Sequence, residues 1–264
     1  MIHSPIGRRT TAAFVAAVAL SGASLVLVGR GSSLRSVEAG VLPDPVAPAF
    51  RIPDATPLRT SPDLVRWSEV VRIAEARSLP SRDATVVARL ETRTPEGTAN
   101  VVLVLRSAID DSGRVWVKAR LPVLPNGTTG WIRREALGGY HVVDTRLIVD
   151  LSRLTATLVR QGRPIFRAPV GVGEPQWPTP TGRFYIRNRL TTLDGTFYGP
   201  LAFGTSARSA VLTDWPAGGF IGIHGTSEPW LLPGRVSHGC IRMRNQDILR
   251  LGRLMPVGTE VTIR

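Results

Sequence analysis

Residues 221–248 read IGIHGTSEPWLLPGRVSHGCIRMRNQDI, and this stretch decides how the rest of the chain is read. It gathers His224, Ser237, His238 and Cys240 into seventeen residues. A thiol at the end of a turn, with an imidazole upstream, can serve as a nucleophile and its base. A free thiol titrates at about 8.5, and imidazole or nearby positive charge lowers it toward neutrality. Arg242 supplies such a charge two residues beyond the thiol. Gly239 lets the backbone bend sharply just before Cys240, and exposed amides at such a bend can bind a developing oxyanion. Taken singly, Cys240 reads as a small buried hydrophobe and His238 as a structural histidine. The combination points to chemistry.

Outward from this stretch the pattern is mainly β. Asn245 reads as the cap of a helix over Gln246–Leu254, with Asp247 favourable in its first turn, and VGTEVTIR (257–264) reads as a closing strand. Upstream, HVVDTRLIVDLSRLTATLVRQGRPIFRAPVGVG (141–173) reads as strands joined by tight turns, with Gln161-Gly162 a hairpin candidate. Pro178-Thr179-Pro180-Thr181-Gly182 marks a turn before the strand RFYIRNRL (183–190). There is no βαβ alternation. The glycine cluster GGFIGIHG (218–225) lacks the strand–turn–helix context and acidic partner of a dinucleotide site.

Further upstream, TVVARL, NVVLVLRSAI, RVWVKARL and GWIRREAL lie between residues 85 and 137. They are separated by turn signals at Pro95-Glu96-Gly97, Asp110-Asp111-Ser112-Gly113 and Pro125-Asn126-Gly127. Such spacing suits a small barrel over residues 81–138. Before it, Ser61 and Pro62 look like a helix start, and Leu64, Trp67, Val71 and Ala74 share one helical face, so a short helix is expected within 63–80. Residues 31–62 are punctuated by proline and read as an extended tether. At the N-terminus Arg8 and Arg9 precede an uncharged run, Thr10–Gly29. Residues 1–30 therefore read as an export signal or a membrane anchor. The remainder would then work in the cell envelope or periplasmic space, anchored or secreted.

The composition narrows the function. The chain has 264 residues, a formal net charge of +13 and one cysteine, which excludes a disulfide framework within the chain and a cysteine-built zinc site. Four histidines leave little for a histidine-rich metal site. Lys118 is the only lysine, and the arginines are scattered with no run of five. Neither zinc-finger spacing nor a helix-turn-helix pattern is present, so nucleic acid is not an expected partner. The basic balance leaves anionic wall polymers or a membrane surface as partners.

The segment HGTSEPWLLPGRVSHGCIRMRN (224–245) resembles the signature of the YkuD-type L,D-transpeptidases: His-Gly, a loop, then Ser/Thr-His-Gly-Cys and an Asn a little further on. VGVGEPQWPTPTGRFYI (170–186) resembles a second region of the same family, and the likeness covers about 141–264. VWVKARLPVLPNGTTGWI (115–132) resembles the end of a bacterial Src-homology-3-like domain, read either as a wall-polymer binder or as a packing module for the catalytic domain, 139–264. The first resemblance implies that Cys240 is the nucleophile and His224 its base, the ring being oriented by the Gly225 carbonyl. The amides of Gly239 and Cys240 would line an oxyanion hole. His238, Ser237, Arg242, Asn245 and Tyr198 would meet substrate, with Arg242 stabilising the thiolate or holding a stem-peptide carboxylate. Trp177, Trp215 and Trp230 fit either the core or the pocket wall, the core being favoured, and His141 is expected in a structural place at the domain junction.

The implied reaction is two acyl transfers on peptidoglycan stem peptides. The thiolate takes the acyl group of a tetrapeptide, D-Ala leaves, and a third-residue side-chain amine of another stem accepts the acyl group. The resemblance calls for no metal or organic cofactor, and carbapenems should acylate Cys240. Three alternatives stay open: an L,D-carboxypeptidase, a ligase joining protein to peptidoglycan, and a non-catalytic wall-binding protein.

Overall fold

The structure is a computed structural model that describes residues 55–58, 64–191, 197–213 and 219–264. The leader, most of the tether, Ser61, Pro62 and Trp215 lie outside the described residues.

The first half forms an antiparallel sheet. Its strands are β1 (Thr56–Pro57), β2 (Val65–Val70), β3 (Ala74–Arg77), β4 (Val86–Leu90), β5 (Val101–Ile109), β6 (Val115–Arg120), β7 (Thr129–Arg133) and β8 (Leu137–Val143). They lie in the order β4-β3-β7-β6-β5-β2-β8, with β1 also on β5. The unbroken apolar run of β5 has a reason: both its faces are covered. Val102 and Val104 enter this sheet's own core with Val117, Leu121 and Ile132. Val101 and Leu103 pack the other way, with Val65, Val143 and Tyr185 of the second half.

Two expectations fail here. The helix within 63–80 is replaced by β2 and β3. The supposed helical face is split: Ala74 goes to the first core, Trp67 to the junction cluster, and Val71 is exposed. Pairing of β2 with both β5 and β8 outweighs the 3.6-residue spacing. The tether does not run free to residue 62, because Thr56 and Pro57 pair with Ser107 and Arg106. The sheet therefore spans 56–143 instead of 81–138.

The second half is a ten-stranded mixed sheet and one helix. Its elements are β9 (Thr145–Asp150), β10 (Thr155–Arg160), β11 (Arg163–Pro169), β12 (Gly171–Gly173), β13 (Gly182–Thr191), β14 (Leu201–Arg208), β15 (Phe220–His224), β16 (Gly234–Ser237), β17 (Ile241–Arg242), α1 (Asn245–Leu254) and β18 (Glu260–Ile263). The order is β11-β10-β9-β18-β13-β14-β15-β17-β12-β16. The hairpin at Gln161-Gly162 is present, with φ of 48° and 76°, the left-handed pair that a two-residue turn of this hand requires. The closing strand is β18, parallel to β9 and antiparallel to β13. Helix α1 buries Ile248, Leu251 and Gly252, and a Cβ on Gly252 would stand 2.3 Å from Leu201 Cδ2.

The junction between halves is polar as well as apolar. The Tyr185 hydroxyl donates to the Val101 carbonyl at 3.0 Å, and burial pushes its pKa up. His141 stacks on Trp67 at 4.2 Å, at the junction as expected. Gly258, at φ +85°, admits the Trp67 ring where any side chain would collide with it.

Candidate active site

Strands β15 and β17 are parallel neighbours, with Ile223 opposite Ile241 and His224 opposite Arg242. His224 ends β15 and Cys240 immediately precedes β17, so the register sets Cys240 beside Gly222, two residues before His224, with imidazole and thiol on one face of the sheet. His224 Nδ1 lies 2.6 Å from the Gly225 carbonyl oxygen. A carbonyl can only accept, so the ring proton sits on Nδ1 and Nε2 keeps its lone pair. The Gly222 amide donates to Cys240 Sγ at 3.3 Å. A Cβ on Gly222 would lie 3.7 Å from His224 Cδ2 and 3.8 Å from that sulfur, so the glycine leaves the space between ring and thiol open.

The turn bearing the thiol is held by two hydroxyls. Ser237 Oγ donates to the Cys240 carbonyl at 2.6 Å and accepts from the Gly239 amide at 3.2 Å. Thr179 Oγ1 donates to the Gly239 carbonyl and accepts from the Gly173 amide, both at 2.8 Å. Gly239 has φ +108°, and a Cβ there would sit 3.0 Å from Ile221 Cδ1. The bend expected at this glycine is present. Its amide, expected to serve an oxyanion, is already engaged by Ser237, so an oxyanion would have to compete for it.

Around the pair lies a pocket walled among others by Phe197, Tyr198, Leu212, Phe220, His238 and Arg242. The Tyr198 ring stands edge-on to His224 at 4.8 Å. His238 is exposed and packs on Trp177 at 4.1 Å. Trp177 therefore flanks the site, against the expectation of a core residue, and Trp230 is 74% exposed, also against it. A short turn with proline at its start carries Trp230 out to solvent. Arg242 is buried; its Nη1 donates to Glu228 Oε2 at 3.2 Å and its guanidinium lies 4.2 Å from the Phe197 centroid. Its Nε is buried without a hydrogen-bond partner. Asn245 does not cap α1. The N-cap is Arg244, with no side-chain bond, and Asn245 Oδ1 instead accepts from the Thr226 amide at 2.9 Å. That bond steadies the segment that follows His224.

Burial dominates the electrostatics. It lowers the His224 pKa to about 4, helped by repulsion from Arg242 and opposed by the bond to Gly225. It raises the Cys240 thiol, and the Gly222 amide and the Arg242 charge pull the other way. Both groups are thus neutral near neutral pH in the empty pocket. A neutral imidazole beside a neutral thiol can take the thiol proton as the sulfur attacks. Among the described residues no cluster of three or more His, Cys, Asp or Glu side chains could hold a metal ion.

Sequence reasoning missed Thr179, Glu228, Phe197 and Phe220. A signal existed for Thr179, which lies in the Thr-Pro-Thr-Gly turn already singled out. Phe220 stood inside the glycine cluster set aside as uninformative.

A profile of the YkuD family, described as the L,D-transpeptidase catalytic domain, matches residues 144–263. The protein of Bacillus subtilis described as putative L,D-transpeptidase YkuD is 35% identical over 123 residues, which are 47% of this chain and 68% of that one. L,D-transpeptidase 1 of Mycobacterium tuberculosis is 29% identical over 142 residues, covering 49% of this chain and 55% of that one. Among solved structures, the catalytic domain of the E. faecium L,D-transpeptidase aligns with 46% of this chain and 97% of its own length. It shows 25% identity and a TM-score of 0.35.

Proposed function

The chain belongs to the YkuD family of L,D-transpeptidases, and from that membership we propose that it joins peptidoglycan stem peptides through an acyl-enzyme on Cys240. The observation that carries the reading is the tautomer of His224. With Nδ1 donating to Gly225, Nε2 is the basic nitrogen, on the same face of the sheet as the thiol. The Cys240 sulfur attacks the carbonyl between the third and fourth residues of a tetrapeptide, and its proton passes to His224 Nε2. The tetrahedral intermediate collapses, the C–N bond breaks, and the proton leaves with D-Ala. A thioester remains. The third-residue amine of a second stem then attacks it, and His224 takes the amine proton and returns it to the departing sulfur. Arg242 favours negative charge on the sulfur. Carbapenems, as mimics of the acyl donor, would acylate the same thiol.

Such a substrate lies outside the cytoplasm, and the basic, then apolar, N-terminal sequence supports export or anchoring. The test is to incubate the purified chain with a disaccharide-tetrapeptide and follow the products by mass spectrometry beside Cys240→Ala. Cys240-dependent dimers lacking one D-Ala are expected. Loss of D-Ala without dimers would replace the acceptor amine by water. No Cys240-dependent product, from protein with a reactive reduced thiol, would remove the transpeptidase reading.

A further inference from the structure

Two turns of the N-terminal sheet reach the base of the pocket wall. The first carries Glu96, in a loop closed by the Thr94 amide on the Thr98 carbonyl at 2.8 Å. Its carboxylate accepts from Arg187 Nη2 at 3.1 and 3.3 Å and from Asn188 Nδ2 at 3.1 Å. Arg187 is 2% exposed, and its Nε donates to the Thr205 carbonyl at 3.1 Å. Burial lowers its pKa and the Glu96 charge opposes that. The guanidinium plane, fixed by these bonds, lies 3.6 Å from the Phe220 centroid, and the Arg208 guanidinium lies 4.9 Å from the same ring. Phe220 opens β15, four residues before His224, and lines the pocket.

The second turn carries Asn126. Its Nδ2 donates to the Arg208 carbonyl at 2.8 Å and its Oδ1 accepts from the Arg208 amide at 3.0 Å. Arg208 is opposite Phe220 in the β14–β15 register. One residue on, the Ser209 amide donates to the Gly219 carbonyl at 2.8 Å, closing the neck from which the pocket wall rises. Ser209, Leu212, Gly219 and Phe220 all line the pocket. The Asn126 grip therefore falls on this neck directly, and the Glu96 grip reaches its Phe220 side through Arg187.

We propose that the N-terminal sheet clamps the substrate-pocket wall, and that Glu96 is a positioning residue acting through Arg187 and Phe220 on stem-peptide binding. An arginine under an aromatic ring sets the ring only if its own plane is set. Glu96 and the Thr205 carbonyl set it, and Glu96 is the contribution of the other sheet. The proposal rests on the transpeptidase reading of the pocket only for the identity of the ligand.

The test compares full-length wild type with Glu96→Ala and, as a milder break at the other turn, Asn126→Ala. Two quantities are read: KM and kcat with the disaccharide-tetrapeptide, and hydrogen exchange by segment. In Glu96→Ala, KM should rise about tenfold with kcat within about twofold, because the wall orders the peptide and the reacting pair is untouched. Exchange over 203–222 should quicken about tenfold, while 145–170 stays at the wild-type rate. Asn126→Ala should move both readouts the same way by a smaller factor. Wild-type KM and exchange in both variants would overturn the clamp, as would exchange rising equally in 145–170. Should wild type fail to turn over the stem peptide, the transpeptidase reading fails, and the segmental exchange alone then decides the clamp.

Discussion

The pocket has two walls that are held in different ways. The cysteine wall is held from within its own sheet, by neutral hydroxyls: Ser237 spans three residues to Cys240, and Thr179, 60 residues from Gly239 in sequence, ties the 178–182 turn to it. The phenylalanine wall is held from the neighbouring sheet by a buried ion pair and a paired amide, with partners 91 and 82 residues apart in sequence. The first arrangement fixes the atoms that react. The second sets the shape around them. Breaking one should act on the chemical step, and breaking the other on the affinity for peptide.

The sharpest break of the cysteine wall is Gly239→Ala. It places a Cβ at φ +108° and 3.0 Å from Ile221, and turnover should fall by about a hundredfold or more because the thiol is displaced from its base. Single-turnover acylation measured by mass spectrometry checks this, and a rate within threefold of wild type would refute it. Next comes Thr179→Val, which leaves the Gly239 carbonyl and the Gly173 amide without their partner. We expect a loss of about 1–3 kcal/mol by denaturant unfolding, and a fall in kcat with KM little changed. At the other wall, Glu96→Ala should show the opposite split.

A pH scan separates the walls by charge. His224 holds its pKa at about 4 in the fold against 6.5 ordinarily, so the unfolded chain binds the extra proton first as pH falls. Stability should be complete above about pH 6.5 and decline toward pH 4, by about 3 kcal/mol from this residue. Denaturant curves of wild type against His224→Gln isolate the contribution, and equal slopes with pH would contradict it. The smallest effect is expected from Arg242→Met. Losing its charge should raise the thiol pKa further and slow Cys240 alkylation at pH 8 by about threefold. An unchanged rate would assign Arg242 to Glu228 and Phe197 alone.

This contrast also explains what could be read from the sequence. The residues of the cysteine wall lie in short motifs, and the His224–Cys240 pair, the Gly239 bend and the Gln161-Gly162 hairpin were all legible. Local geometry forces their residue types. The phenylalanine wall was not legible, because Glu96 looks like an ordinary turn residue until β13 is folded against it. The misread helix at 63–80 has a related cause. Trp67 and Ala74 serve two different cores and Val71 serves neither, so the spacing of Leu64, Trp67, Val71 and Ala74 imitates a helical face that the fold does not use as one. Asn245 has good capping chemistry, yet its side chain is used on Thr226, a partner 19 residues away. Propensity carries no information about such distant partners.

Strand β18 has a consequence for the order of events during synthesis. In the ten-stranded sheet it is the link between β9–β11 and β13–β17. Until residues 260–263 emerge, the two groups have no strand to share, and the parallel pairing with residues 146–149 must close a long loop. Completion of the ten-stranded sheet therefore waits on this one non-local pairing.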